Sequence, residues 1–166
     1  KNNIPLNGQI PCSIFETNQL LLLKNPSLIE YSIFYGSIQI SKYLAMNKVK
    51  LLSSLWIYAI HSNNPEILQF LEENQVEPIF EECIIESIKC HNDSFTEYFL
   101  NNCSNEEGNL ENYLASMLKY CNFKFVQPDL FNSSSLYHLV RLNYVKLIEF
   151  LLNKDIDVNM LFDDII

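Results

Sequence analysis

The stretch from Ser134 to Asn159 decides the fold, and it reads SSLYHLVRLNYVKLIEFLLNKDIDVN. Its apolar residues fall into two short groups, one on each side of Asn143. A more polar segment, Asp155 to Asn159, closes the stretch with the letters DIDVN. Because the pattern as a whole is more informative than any one of its residues, the stretch is best compared with known sequence repeats.

As a whole, the stretch resembles the ankyrin repeat. It aligns without a gap on the consensus, which is roughly TPLHxAxxxGHxxxVxxLLxxGADVN. In this alignment Asn143 takes the turn between two helices, where Gly is usual, and Asp155 to Asn159 corresponds to the loop that leads into the next repeat. The alignment places these apolar residues on the buried sides of the two helices: Leu136, Leu139 and Val140 in the first, and Leu147, Ile148, Phe150 and Leu151 in the second.

The same two-helix pattern recurs upstream in SIFYGSIQISKYLAMNKV (residues 32–49), SLWIYAIHSNNPEILQFLEENQV (54–76) and IESIKCHNDSFTEYFLNN (85–102). Gly36 takes the turn in the first segment, Asn63 in the second, and His91 or Asn92 in the third. The intervals between successive turn residues are shorter than the ankyrin period of about 33 residues, and we attribute the difference to shorter loops between repeats. An ordinary helical bundle has no reason to repeat one turn position, so the pattern favours a repeat protein.

The segment between the third and the last copies departs from the repeat period. One apolar pattern with helical spacing runs from Leu110 to Cys121. The letters FKFVQPDLF that follow are too short and too proline-interrupted for a full second helix. We interpret this segment as a degenerate repeat with a normal first helix and a collapsed second helix.

Residues 24–44, 54–74 and 118–125, together with the closing KDIDVN, are similar to a divergent ankyrin-like domain of unknown function found in large families of protist proteins. The resemblance covers residues 24–159, although the chain lacks the TPLH tetrapeptide. It implies a solenoid that binds proteins, and it supplies no catalytic residues. We therefore expect a single all-α domain over residues 1–166, an ankyrin-type α-solenoid of stacked helix-turn-helix repeats with one degenerate unit. The expected units are a partial N-terminal cap (1–25), then 26–52, 53–79, 80–105, the degenerate 106–132, 133–159, and the start of a truncated unit (160–166).

Composition and charge exclude several classes of protein. Hydrophobic residues make up 48% of the chain, with only 3 Gly and 6 Pro, as is typical of a compact helical domain. No segment approaches the length of apolar sequence that a membrane span needs. The net charge of −9 repels phosphate backbones, so nucleic acid is not an expected partner. The acidic residues give either a solvated outer surface or a docking patch for a partner with a basic surface.

Catalytic and metal-binding patterns are absent from the sequence. The five cysteines are odd in number and scattered, which favours free thiols in a reducing, cytoplasmic compartment. We also expect the chain to be monomeric. Cys83, Cys90 and His91 lie close in sequence, but no fourth ligand stands at a spacing known for structural zinc. His61 and His138 occupy, like His91, the end of a first helix, so their recurrence reflects the repeat. We expect no enzymatic activity, no cofactor and no metal.

The first helices are expected to line the concave side of the solenoid and to bind the partner there. In each first helix, the residue one position after the apolar anchor pair and the residue three positions further on are expected to point into the groove. These residues form two columns along the array: Tyr31, Tyr58 and His138 in one, and Phe34, His61 and Arg141 in the other, with Ser87 and Cys90 from the third unit. Aromatic residues and Arg are frequent at the energetic centres of protein interfaces. Glu77 and Glu81, at the neighbouring loop, would favour a cationic rim on the partner. Two alternatives remain open: the tyrosines simply pack between helices, or the chain is a cap or spacer of a longer ankyrin array with no partner of its own.

Overall fold

The structure, a computed structural model, describes residues 5–11, 13–104 and 108–153, apart from the side chains of Ser133 and Ser134. Within these residues the backbone forms ten α-helices and no strand beyond an isolated bridge between Gln9 and Ser27, which confirms the predicted all-α class. None of the described helices is long and apolar enough to cross a membrane. The helices are α1 (Gln19–Lys24), α2 (Leu28–Phe34), α3 (Ile38–Met46), α4 (Leu55–Ser62), α5 (Pro65–Glu73), α6 (Phe80–Lys89), α7 (Asp93–Asn102), α8 (Leu114–Lys119), α9 (Ser133–Arg141) and α10 (Val145–Leu152).

The chain divides into two compact units. Unit 1 extends to Glu86 and unit 2 begins at Ser87, so the boundary lies within α6. Three predicted features lie outside the described residues: the loop from Asp155 to Asn159, the segment 160–166, and Cys12.

The predicted turns coincide with left-handed backbone positions. Positive φ angles occur at Gly36 (64°), Asn63 (47°), His91 (52°) and Asn143 (59°), which confirms the predicted turns and places the third one at His91. Gly and Asn adopt this conformation more readily than other residues. The same conformation recurs at Cys121 (57°), a turn that the sequence analysis did not predict.

Each of four turns is closed by the same backbone hydrogen bond. The amide that follows the turn residue donates to the carbonyl five residues earlier, as in the Schellman motif that ends many helices. The bonds measure 2.8 or 2.9 Å and join Ser37 to Ser32, Asn92 to Ser87, Asn122 to Met117, and Tyr144 to Leu139. Because Asn122 shares this geometry, the segment around Cys121 is a true copy of the repeat turn.

Unit 1 consists mainly of the pairs α2–α3 and α4–α5, which share one apolar core. Ile33 and Trp56 are almost completely buried, and the Trp56 indole Nε1 donates to the carbonyl of Val76 at 2.6 Å. Asn64, which follows the Asn63 turn, donates from Nδ2 to the Gly36 carbonyl at 3.1 Å and so joins the two turns. The second helix of each pair begins with a side-chain cap, a proline or a tight turn, and α5 has both Asn64 as its cap and Pro65 at its start.

Unit 2 contains the degenerate repeat. The predicted helix from Leu110 to Cys121 is shorter than expected, because its first turn is a 3₁₀ helix (Leu110–Tyr113) and α8 ends at Lys119. The predicted collapse of the second helix is confirmed, since a three-residue 3₁₀ turn, Pro128–Leu130, stands in its place. Side chains that follow the turns again reach back to the preceding repeat: Asn122 Nδ2 donates to the Ile88 carbonyl at 3.2 Å, and the Tyr144 hydroxyl donates to the Leu118 carbonyl at 2.8 Å.

The last helical pair is less buried than its alignment predicted. Leu139 and Leu151 are at most 1% exposed, as expected, but Val140 is 60% and Phe150 40% exposed, so the prediction that these two are buried was wrong. Leu136, Leu147 and Ile148 are only partly buried. Two of the residues that the alignment placed inside, Leu139 and Leu151, are therefore buried, and Val140 and Phe150 lie on the exposed side of α9 and α10.

Candidate protein-interaction site

Residues five and two positions before each turn residue are referred to below as the column positions. With the turn residues at 36, 63, 91, 121 and 143, they are Tyr31 and Phe34, Tyr58 and His61, Glu86 and Lys89, Ser116 and Lys119, and His138 and Arg141. The assignment of Ser87 and Cys90 to the third unit was therefore wrong by one residue, because the turn lies at His91. Ser87 is buried instead, with its hydroxyl 2.8 Å from the Thr96 hydroxyl.

In unit 1 the column positions form an aromatic cluster. The rings of Phe34 and His61 stack, with centroids 5.2 Å apart and planes inclined at 27°. Tyr35 caps the end of α2 and contacts the rings of Tyr31 (4.8 Å) and Phe34 (5.1 Å). Three rings at the end of α2 and the His61 ring of α4 thus form a chain of contacts from Tyr31 through Tyr35 and Phe34 to His61.

Tyr35 is the most accessible member of the aromatic cluster, with 54% of its surface exposed. Its hydroxyl donates to Glu16 Oε2 at 3.2 Å. The hydrogen bond with Tyr31, followed by partial burial and the charge of Glu16, raises the pKa of Tyr35 to about 12. Sequence reasoning missed Tyr35 because it follows the last residue of α2, although its i, i+4 spacing from Tyr31 was a signal that could have revealed it.

Tyr58 does not belong to the accessible surface. It is 2% exposed, so its prediction as an aromatic contact for a partner was wrong. Burial, followed by the charge of Glu30, raises the pKa of its phenol to about 12. Tyr58 therefore contributes to the core of unit 1, as the packing alternative proposed, whereas Tyr31 and Phe34 are half-buried at its edge.

Polar neighbours orient His61. Its Nε2 lies 2.8 Å from Glu86 Oε1, and both side chains are largely buried, at 15% and 13% exposed. The ring is thus held between the carboxylate of Glu86 and the face of Phe34. Glu77 and Glu81, the predicted cationic-rim residues, are both exposed at the start of α6.

In unit 2 the column positions of two repeats surround an open cavity of about 200 Å³ between α8 and α9. Arg141 and His138 line it from α9, and Ser116 and Lys119 line it from α8. The sequence analysis missed Ser116 and Lys119 because it placed no turn at Cys121 and could not count back from it. Ala115 and Leu142 complete the lining.

Among the described cysteines, Cys83 is the one that is buried in the core. Burial, followed by the charge of Glu82, raises the pKa of Cys83 to about 12, so its thiol is protonated and shielded. None of the four described cysteines forms a disulfide bond with another. The histidines have different neighbours: His61 contacts Glu86, His91 lies 2.9 Å from the Tyr120 carbonyl, and His138 contacts the edge of Tyr137.

A comparison of the sequence with protein-family models gives no match, and neither do comparisons with curated proteins and with solved structures.

Proposed function

We propose that the chain is a non-catalytic protein-interaction module, a divergent ankyrin-type solenoid that binds a protein partner along the first-helix columns at its concave face and loop tips. The observation that carries the proposal is the aromatic cluster of Tyr31, Phe34, Tyr35 and His61 in unit 1. Tyr35 is the exposed ring of this cluster, and the neighbouring half-buried rings fix it. A ring fixed in this way loses little side-chain entropy on binding, and aromatic residues supply much of the energy at many interfaces.

The recurrence of one turn geometry supports the solenoid part of the proposal. Turn-to-turn bonds such as Asn64 to Gly36 and Asn122 to Ile88 join successive repeats within each unit. Stacked repeats that contact only their neighbours present equivalent side chains in rows, and extended binding surfaces arise in this way. The absence of disulfide bonds among the described cysteines favours an intracellular setting.

The proposal can be tested with a photo-crosslinking amino acid at position 35. The crosslinked partner is identified, purified and titrated against three variants of the chain. Tyr35→Ala and Phe34→Ala should each weaken binding by about 2 kcal/mol or more. Tyr43→Ala is the matched control, because Tyr43 is 58% exposed on α3, away from the column positions.

The melting temperatures of the three variants separate binding from stability. A loss of affinity for Tyr35→Ala at unchanged melting temperature supports the interaction site. A larger loss for Tyr43→Ala would overturn the column assignment.

The exposed face of α9 and α10 favours a second function, that of a structural segment within a longer ankyrin array. Val140 is 60% exposed, whereas the residues at the same position of the other repeats, Ile33, Ile60, Ile88 and Leu118, are at most 1% exposed. A further helical pair stacked on this face would bury Val140 in the same way. Fusing a consensus ankyrin repeat after α10 tests this function: Val140→Ser should be nearly neutral in the chain itself and destabilising in the fusion. Equal effects of Val140→Ser in the chain and in the fusion would contradict this structural function.

A further inference from the structure

We propose that the cavity between α8 and α9 binds the phosphate group of a phosphorylated serine or threonine in a segment of a partner protein. The inference rests on the proposed interaction function and specifies the chemistry of the ligand in unit 2.

The first argument is charge. Lys119 and Arg141 both line the cavity, and no acidic side chain does. Three acidic residues of unit 2 are paired with other cations: Asp93 and Glu97 with Lys124 at 3.5 and 3.0 Å, and Glu149 with Lys146 at 2.8 Å. Among the residues that the structure describes, neither Lys119 nor Arg141 forms an ion pair with a carboxylate. Lys119 also lies over the ring of Tyr120, with its Nζ 5.1 Å from the ring centre. Two positive charges at one cavity, with no carboxylate in its lining, create a local field that favours an anion in a chain of net charge −9.

The second argument is size. Pockets for cofactors and drug-sized ligands have volumes of about 300–1,000 Å³. A cavity of about 200 Å³ accommodates one side chain or a small anionic group. An anionic side chain carried by a peptide therefore fits the cavity better than a nucleotide cofactor does.

The third argument is the set of hydrogen-bond donors. A guanidinium presents a planar fork that matches two phosphate oxygens, and an ammonium adds a compact charge with three donors. The hydroxyl of Ser116 and the imidazole of His138 extend this set. Phosphoserine carries close to two negative charges and three acceptor oxygens, which two cations and further donors can match. A single carboxylate would leave one of the two cations uncompensated.

A buried apolar cluster beside the cavity holds together the two helices that carry these donors. Leu114 and Leu118 of α8 pack with Leu139 of α9 and Leu151 of α10 in one buried cluster. The Tyr144 hydroxyl donates to the Leu118 carbonyl and so ties α8 to the start of α10. Because the helices that carry the donors are fixed by this core, the cavity does not have to form on binding.

The experiment uses the whole 166-residue chain labelled with ¹⁵N and three capped five-residue peptides of Gly and Ala. The central residue is phosphoserine, Glu or Ser, and inorganic phosphate is a fourth probe. We expect the phosphoserine peptide to shift the backbone amide signals of Ser116, Lys119, His138 and Arg141. The Glu peptide should bind at least about tenfold more weakly, and the Ser peptide should give no shifts.

Matched variants assign the binding to the cavity. Arg141→Gln and Lys119→Gln should each lower the affinity for the phosphoserine peptide by about tenfold or more, since each removes charge-assisted hydrogen bonds. Lys146→Gln is the control for a general charge effect, because Lys146 is exposed, paired with Glu149 and outside the cavity. The amide spectrum of each variant reports directly whether it is folded.

Four results would overturn the proposal: equal affinity for the Glu and phosphoserine peptides, inorganic phosphate binding at least as tightly as the phosphoserine peptide, an equal loss of affinity with Lys146→Gln, or no cavity shifts at millimolar peptide. None of them affects the crosslinking test at position 35, which probes unit 1. Failure of the phosphate site can therefore be distinguished from failure of the interaction function.

Discussion

Leu151→Ala tests whether the repeat register of the last helical pair is right. Leu151 lies eight residues after the Asn143 turn, and the equivalent residues, Leu44, Leu71 and Phe99, are likewise at most 1% exposed. Removing a buried Leu side chain costs its transfer free energy, about 1.5–3 kcal/mol, plus a term for the cavity that remains. The usual total for Leu→Ala is about 2–5 kcal/mol.

The surroundings decide where in that range each position falls. Leu71 is 0% exposed and lies in α5 between buried neighbours such as Phe70 and Ile67, so its site has little room to collapse. Leu151 packs with Leu118 and Leu139, and the partly buried Leu147 and Ile148 beside this cluster leave the site more room to collapse. We expect about 3–4 kcal/mol for Leu71→Ala and about 2 kcal/mol for Leu151→Ala.

Urea denaturation followed by circular dichroism measures these free energies of unfolding. Leu152→Ala is the matched control, because it removes the same atoms from the next residue, which is exposed, and it should cost less than about 0.5 kcal/mol. If Leu152→Ala were as destabilising as Leu151→Ala, or if both buried variants lost less than about 1 kcal/mol, the register would be refuted.

Two further predictions concern the turns and the response to pH. Gly36→Ala should lower the free energy of unfolding by about 1–2 kcal/mol in the same denaturation assay, because φ is +64° and the added Cβ would lie 3.3 Å from Asn64 Nδ2. Gln75→Gly, at φ 54°, should raise it by about 0.5–1 kcal/mol. Changes of the opposite sign would contradict the argument from backbone strain. Tyr58 has its pKa raised to about 12 in the folded chain by burial and by Glu30, so the unfolded chain releases its proton first and stability should fall as pH rises from about 10 to 12. Melting temperatures should show this decline, and Tyr58→Phe should lessen it; an unchanged decline would mean that other groups cause it.

The turns were predictable because their chemistry is local. A left-handed residue at the end of a helix favours Gly or Asn, and the sequence has Gly36, Asn63 and Asn143 at those points. Cys121 adopts the same conformation without either residue type, and its second helix is missing, so neither signal marked the turn. The column residues Ser116 and Lys119 were missed for the same reason.

Burial was harder to predict than position. A count from the turn gives the direction of a side chain on its helix, but it does not say what covers that side. Tyr58 and Val140 illustrate both errors, since the tyrosine expected at the surface is 2% exposed and the valine expected in the core is 60% exposed. Each depends on contacts between repeats that a period in the sequence does not specify.

The column positions also explain how one repeat can present different chemistry in the two units. Residues such as Ile33, Leu44, Ile60 and Leu71 are fixed by the core, where a change of size or polarity costs several kcal/mol. The residues two positions before each turn do not share this restriction, and they are Phe34, His61, Lys89, Lys119 and Arg141 in turn. Substitution there costs little stability where the side chain is exposed, so aromatic rings can occupy the position in unit 1 and cations in unit 2. If the proposed function is right, binding specificity can therefore differ between the units without any change in the core that supports the turns.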